Sequence, residues 1–151
     1  MTTRTRRAWM RAGLATSLVL GVAAAAAAHH SFAMYNMTET KTLTGKLTRF
    51  IPGSNHAQLL FELLGEDGKP VLKDGKPVVW GVEMGSAAAI ARSGVTVKAF
   101  PVGTIMTVSL HPLRDGKPFG AIGGALIKCG ETFPAGGCNQ KTGQVMMAPA
   151  N

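Results

Sequence analysis

The chain has 151 residues, with 16 Lys and Arg against 8 Asp and Glu, four His and two Cys. That length suits one small domain and is too short for two. The excess of positive charge would point to a polyanionic partner only if it followed a folded face, and Arg4, Arg6, Arg7 and Arg11 crowd into the first eleven residues instead.

After those arginines, Ala12 to Ala28 runs without a charge, with Leu14, Leu18, Val19, Leu20 and Val22 at its centre and alanine at its end. Basic head, apolar middle and small-residue exit describe a secretory signal peptide. A membrane anchor needs roughly 20 strongly apolar residues, and the last third of this run is only alanine. Residues 1–28 are therefore expected to be removed on export to the bacterial periplasm or beyond, leaving no membrane span. The order Thr5-Arg6-Arg7-Ala8-Trp9-Met10-Arg11 suits an ordinary basic head and also loosely fits a twin-arginine signal. Once the leader is gone, twelve cationic side chains face eight anionic ones, a net charge of only +4. No Lys and Arg cluster remains to track phosphates, so no nucleic-acid partner is expected.

Residues 29–128 read as β-structure. Thr42 to Thr48 alternates small or apolar with polar residues, the period-2 pattern of a half-buried strand. Pro52-Gly53-Ser54-Asn55 is turn chemistry. From His56 to Leu64, residues Ala57, Leu59, Phe61 and Leu63 share one face. Val78 to Met84 forms a third run, Thr104 to His111 a fourth and Phe119 to Ile127 a fifth. One short helix interrupts them: Ser86 is a good N-cap, Ala87 to Arg92 are mostly helix formers, and Gly94 can take the left-handed C′ position. Asp-Gly-Lys-Pro occurs at 67–70, 74–77 and 115–118, and reads as repeated turn chemistry with a proline where a strand begins. The tandem pair places an extended tip between strands two and three.

Five strands with a helix between the third and fourth are the element order of a small OB-like barrel. Residues 129–151 are expected to form a disulfide-closed loop and a flexible C-terminal tail. In an oxidising compartment Cys129 and Cys138 should pair, across a Gly- and Pro-rich loop whose closure stabilises by roughly 2–3 kcal/mol. Their spacing is not C-x-x-C, which argues against a redox or zinc role.

Several of these segments together resemble an uncharacterised family of small exported bacterial proteins, a domain-of-unknown-function family. They are Ala28-His29-His30-Ser31-Phe32-Ala33-Met34-Tyr35, the Leu43-Thr44-Gly45 and Trp80-Gly81-Val82-Glu83 strands, Arg92-Ser93-Gly94, and His111-Pro112-Leu113-Arg114-Asp115-Gly116. The resemblance reaches about Lys128. Members usually carry Asn-Pro-His at the start of the second strand; Ser54-Asn55-His56 keeps the histidine and loses the proline. The Cys129–Cys138 tail falls outside the pattern. The resemblance implies an exported OB-like domain and no established activity.

All four histidines follow the leader. Cleavage after Ala28 makes His29 the first residue, whose amine and ring nitrogen can chelate one metal ion. Cleavage after Ala26 or Ala27 makes His29 or His30 the third residue, which permits a square-planar site of amine, two backbone amides and imidazole. Nitrogen ligands in tetragonal geometry favour Cu(II) or Ni(II), and Met34 and Met37 would suit Cu(I). A copper site is expected at His29 and His30, with His56 and His111 as further ligands, each at one end of a strand. The plainer alternatives are a solvated terminus, a strand-ending His111 and a core Met34. No catalytic motif is present: there is no Gly-x-Ser-x-Gly, phosphate loop or His-Glu-x-x-His. Glu62 and Glu83 are the one carboxylate pair that neighbouring strands could bring face to face.

These readings point to an exported binding or accessory protein that takes copper through its terminal histidines. The alternative is a metal-free module that binds a protein or small ligand on the barrel face. Mass spectrometry of untagged protein exported by a bacterial host is expected to find a chain beginning at Ala27, Ala28 or His29. A mature chain that still begins at Met1 or Thr2 would remove the leader.

Overall fold

A computed structural model describes residues 32–148. The leader, His29 and His30 lie outside the described residues. Contacts divide the chain between Met34 and Tyr35, and the architecture below is that of the unit from Tyr35 onward.

Among its described residues this unit has eight strands and one helix: β1 Lys41–Ile51, β2 Gln58–Leu63, β3 Leu72–Lys73, β4 Lys76–Pro77, β5 Val79–Glu83, α1 Ala87–Ala91, β6 Ile105–Pro112, β7 Phe119–Gly130 and β8 Gln144–Met147. β2 pairs antiparallel with β1 and with β5, β1 with β6, and β6 with β7. A parallel pairing of β5 with β7 closes the circle β1-β2-β5-β7-β6. The five barrel strands are the five expected from sequence, and the single helix falls between the third and fourth of them. This is an all-β OB-like barrel.

β1 is long because it serves two partners. Its first half pairs with β6 and its second with β2, and Gly45 and Lys46 pair with both. Such a strand must curl, and Gly45 lets it do so: a Cβ there would run into the Phe61 ring and come within 2.7 Å of the Glu62 carbonyl. A β-bulge between Leu47 and Arg49 then shifts the register, so that Phe50 pairs with Leu59 and joins the core packing. Inside the barrel, Leu47, Leu59, Phe61, Val82, Met106 and Val108 are buried together. Ile90 of α1, with Val95 and Phe100 after it, belongs to the same cluster. The helix begins where Ser86 Oγ accepts the Ala89 amide at 3.2 Å. Gly94, at φ 78°, follows it.

The Asp-Gly-Lys-Pro repeats are turns. Asp67 and Asp115 each accept the backbone amide two residues on, that of Lys69 and of Lys117, at 3.0 Å. The middle copy puts Asp74 and Gly75 at φ 51° and 74° between β3 and β4, the left-handed pair that a two-residue hairpin requires.

The region after Cys129 carries more structure than the flexible tail expected there. Cys129 and Cys138 form a disulfide. Cys138 is buried with Leu64, Ile105 and Ile127, so the loop folds back on the outside of the barrel. Past it, β8 pairs with Leu126 to Lys128 of β7. Periodicity alone could not show this strand, because four residues barely define a period and the pairing partner decides the conformation. Among the described residues no helix is long and apolar enough to cross a membrane.

Replacing both cysteines with alanine is expected to lower unfolding stability by about 2–3 kcal/mol, through the entropy of a loop whose ends are nine residues apart. Denaturant unfolding followed by circular dichroism checks this, with the β spectrum of the folded state retained.

Candidate functional site

The chemistry-bearing side chains gather on the outer wall of the barrel, where the parallel seam meets the segment that precedes β1. Tyr35 enters this wall as a single antiparallel bridge to Leu113. Asn36 donates its amide to the Pro112 carbonyl at 2.8 Å, and Arg114 Nε donates to the Tyr35 carbonyl at 3.1 Å. The Tyr35 side chain is buried, near enough to Glu83 to feel its charge. Burial first, and the neighbouring Glu83 charge second, push the Tyr35 phenol up to about 12.

Glu83 also faces His56, whose Nδ1 stands 3.4 Å from Oε1. The loop before β2 sets this contact. Gly53 turns so tightly that a Cβ would strike the His56 carbonyl. Ala57 then exchanges hydrogen bonds with the next turn of the sheet, donating to the Gly85 carbonyl at 3.0 Å and accepting from the Met84 amide at 2.9 Å. His56 is thereby left beside Glu83. A carboxylate only accepts, so a hydrogen bond from the neutral ring to Glu83 would need the proton on Nδ1 and would leave the lone pair on Nε2.

His111 repeats that arrangement on β6. Its Nδ1 lies 2.8 Å from the Glu39 carbonyl, an acceptor, so Nδ1 again holds the proton. The ring rests against β7 at Gly123, where a Cβ would come within 2.6 Å of both Nε2 and Cδ2. A bare backbone at Gly123 is what gives the imidazole room. Histidines that bind metals characteristically donate the other ring N–H to a carboxylate or a carbonyl; His111 bonds the Glu39 carbonyl, and His56 turns Nδ1 toward the Glu83 carboxylate.

The two histidines have separate partners, however. Among the described residues, no group of three or more His, Cys, Asp and Glu is placed to hold a metal ion. The second carboxylate, Glu62, is not part of the site. The register sets Glu62 opposite Val79 and Glu83 opposite Gln58, so the two acids do not face each other as the sequence allowed. Met34 and Met37 are 55% and 46% exposed rather than core. Tyr35 is the residue that sequence reasoning missed, because its one bridge lies outside any strand and leaves no periodic signal.

Residues 15–122 match a family of unknown function, DUF6152. The chain belongs to that family. The matched span takes in Tyr35, His56, Glu83 and His111 and ends within β7. The disulfide loop and β8, which close this member's outer wall, come after it. Neither the curated proteins nor the solved structures give a match to the chain.

Tyr35 is the sole tyrosine of this DUF6152 protein, so ultraviolet titration reads it without interference. It is expected to ionise near 12, and closer to the ordinary value of about 10 in Glu83→Gln. A raised phenol favours the fold in its neutral form. Its contribution is whole below about pH 10 and is lost as pH climbs through the folded value. A phenol that titrates alike in the native protein and in Glu83→Gln would disprove the influence of Glu83 on Tyr35.

Proposed function

We propose that the protein is exported and acts as a copper-binding accessory protein. In this reading the leader ends within Ala26 to Ala28, and His29 or His30 supplies a terminal Cu(II) chelate with the new amine. His56 and His111 add single imidazole ligands through Nε2. The observation that carries the reading is the orientation of these two rings, each with Nδ1 turned to an oxygen acceptor, at Glu83 and at the Glu39 carbonyl. The exposure of Met34 and Met37 supports it further, since buried thioethers could not serve Cu(I).

A second reading is a metal-free exported module that binds a protein or small ligand on the barrel face. A cleft beside the disulfide loop favours it.

Copper titration of untagged exported protein, followed by EPR, separates the two. Under the first reading, replacing His29 and His30 abolishes tight binding, and His56→Ala or His111→Ala weakens it by about tenfold. Binding no tighter than that of a free peptide with the same first residues would defeat the copper reading and leave the barrel face.

A further inference from the structure

We infer that the cleft between the outer faces of β1 and β2 and the disulfide loop is a binding site for a small organic ammonium ion. The inference is independent of copper and concerns a different part of the surface from His56 and His111.

The cleft holds about 550 Å³, within the range of roughly 300–1,000 Å³ usual for small-ligand sites. Thr42, Leu43 and Thr44 of β1 and Leu63 and Leu64 on the β2 side line it. The loop contributes Phe133 and Gly136 to Asn139, and Glu66 completes the lining.

Hydrogen-bond direction fixes what this lining can offer. Thr107 Oγ1 donates to the Cys138 carbonyl at 2.7 Å, which uses its one proton. It can therefore only accept from Thr44 Oγ1, 2.7 Å away. The Thr44 proton is spent in turn, and its remaining capacity is as an acceptor. Several other donors in the lining are committed as well, and the Thr42 hydroxyl is shared with Ser109 Oγ at 3.0 Å. Asn139 Nδ2 donates to the Gly136 and Gly137 carbonyls. The amides of Leu63, Leu64 and Gly65 donate to Val78, Thr44 and Lys69, that of Gly137 to Pro134, and that of Asn139 to Thr142 Oγ1.

What remains is acceptor-rich and negative. Glu66 is an exposed carboxylate, and no Lys, Arg or His belongs to the lining. An anion would meet Glu66 with nothing to offset the repulsion. A polyol would bring acceptors that find few donors. An alkylammonium ion brings only donors and a positive charge, with an apolar tail suited to Leu63 and Leu64 and a cation suited to an aromatic ring such as Phe133.

The test is amide chemical-shift mapping of the oxidised protein with n-butylammonium chloride, against n-butanol as the neutral isostere and sodium chloride at matched ionic strength. Expected are saturable shifts confined to the cleft amides with butylammonium alone, and an affinity about fivefold weaker or worse in Glu66→Gln. Glu66 is exposed, so that variant keeps the fold; Thr44→Val should weaken binding in the same direction. Equal binding of butanol, an unchanged affinity in Glu66→Gln, or shifts away from the cleft would each overturn the assignment.

Discussion

Gly81, Val82 and Glu83 of β5 run parallel to Phe119, Gly120 and Ala121 of β7, and on these three pairs the closed barrel depends. Every other pairing in the circle is antiparallel and leaves β5 and β7 as edges. The parallel contact joins β5 to the first residues of β7 and seals the core between them, leaving the later part of β7 to pair with β8. Glycines let the neighbouring strands approach closely, Gly81 across the seam itself and Gly120 between β7 and β6. A Cβ on Gly81 would meet the Phe119 ring, and one on Gly120 would come within 2.6 Å of the His111 carbonyl. The same seam places Glu83 in the outer wall between β2 and β7.

From that seam the outer surface divides into two chemical regions. Around Glu83, a buried phenol and an exposed imidazole share one carboxylate, and a second imidazole lies two strands away, opposite Ala121 on β6. Across β1 and β6 the wall is hydroxylic: Thr42 meets Ser109 at 3.0 Å and Thr44 meets Thr107 at 2.7 Å. The disulfide loop lies over this second region and orients its protons through the Cys138 carbonyl. One wall therefore presents basic nitrogen lone pairs and the other presents oxygen acceptors. It is on this division that the two proposals rest, a copper ion for the first region and an organic ammonium ion for the second.

Membership of DUF6152 bears on these regions unequally. The family span contains Glu83 and both structured histidines, so the first region belongs to the shared domain. The loop from Cys129 to Cys138 and β8 lie beyond the matched residues. The far wall of the cleft is thus built by a part of this chain outside the family match, held against the barrel by the disulfide and by burial of Cys138.

Local sequence was enough for the elements. Alternation in Thr42 to Thr48 and around Leu59 and Phe61, the Ser86 cap and the Asp-Gly turns each act over a few residues, so the chain itself announces them. It also determined the order of five strands and a helix, and hence the barrel class. Tertiary structure decided whatever depends on register. The bulge at Leu47–Arg49 returned Phe50 to the core, the β2–β5 register parted Glu62 from Glu83, and β8 became a strand only because β7 had an edge to offer. The meeting of Tyr35, Glu83 and His56 belongs to the same class. Those three residues lie far apart in sequence, and only the closed circle of strands brings one carboxylate to both partners, because register and closure are properties of strand pairs and not of any single strand.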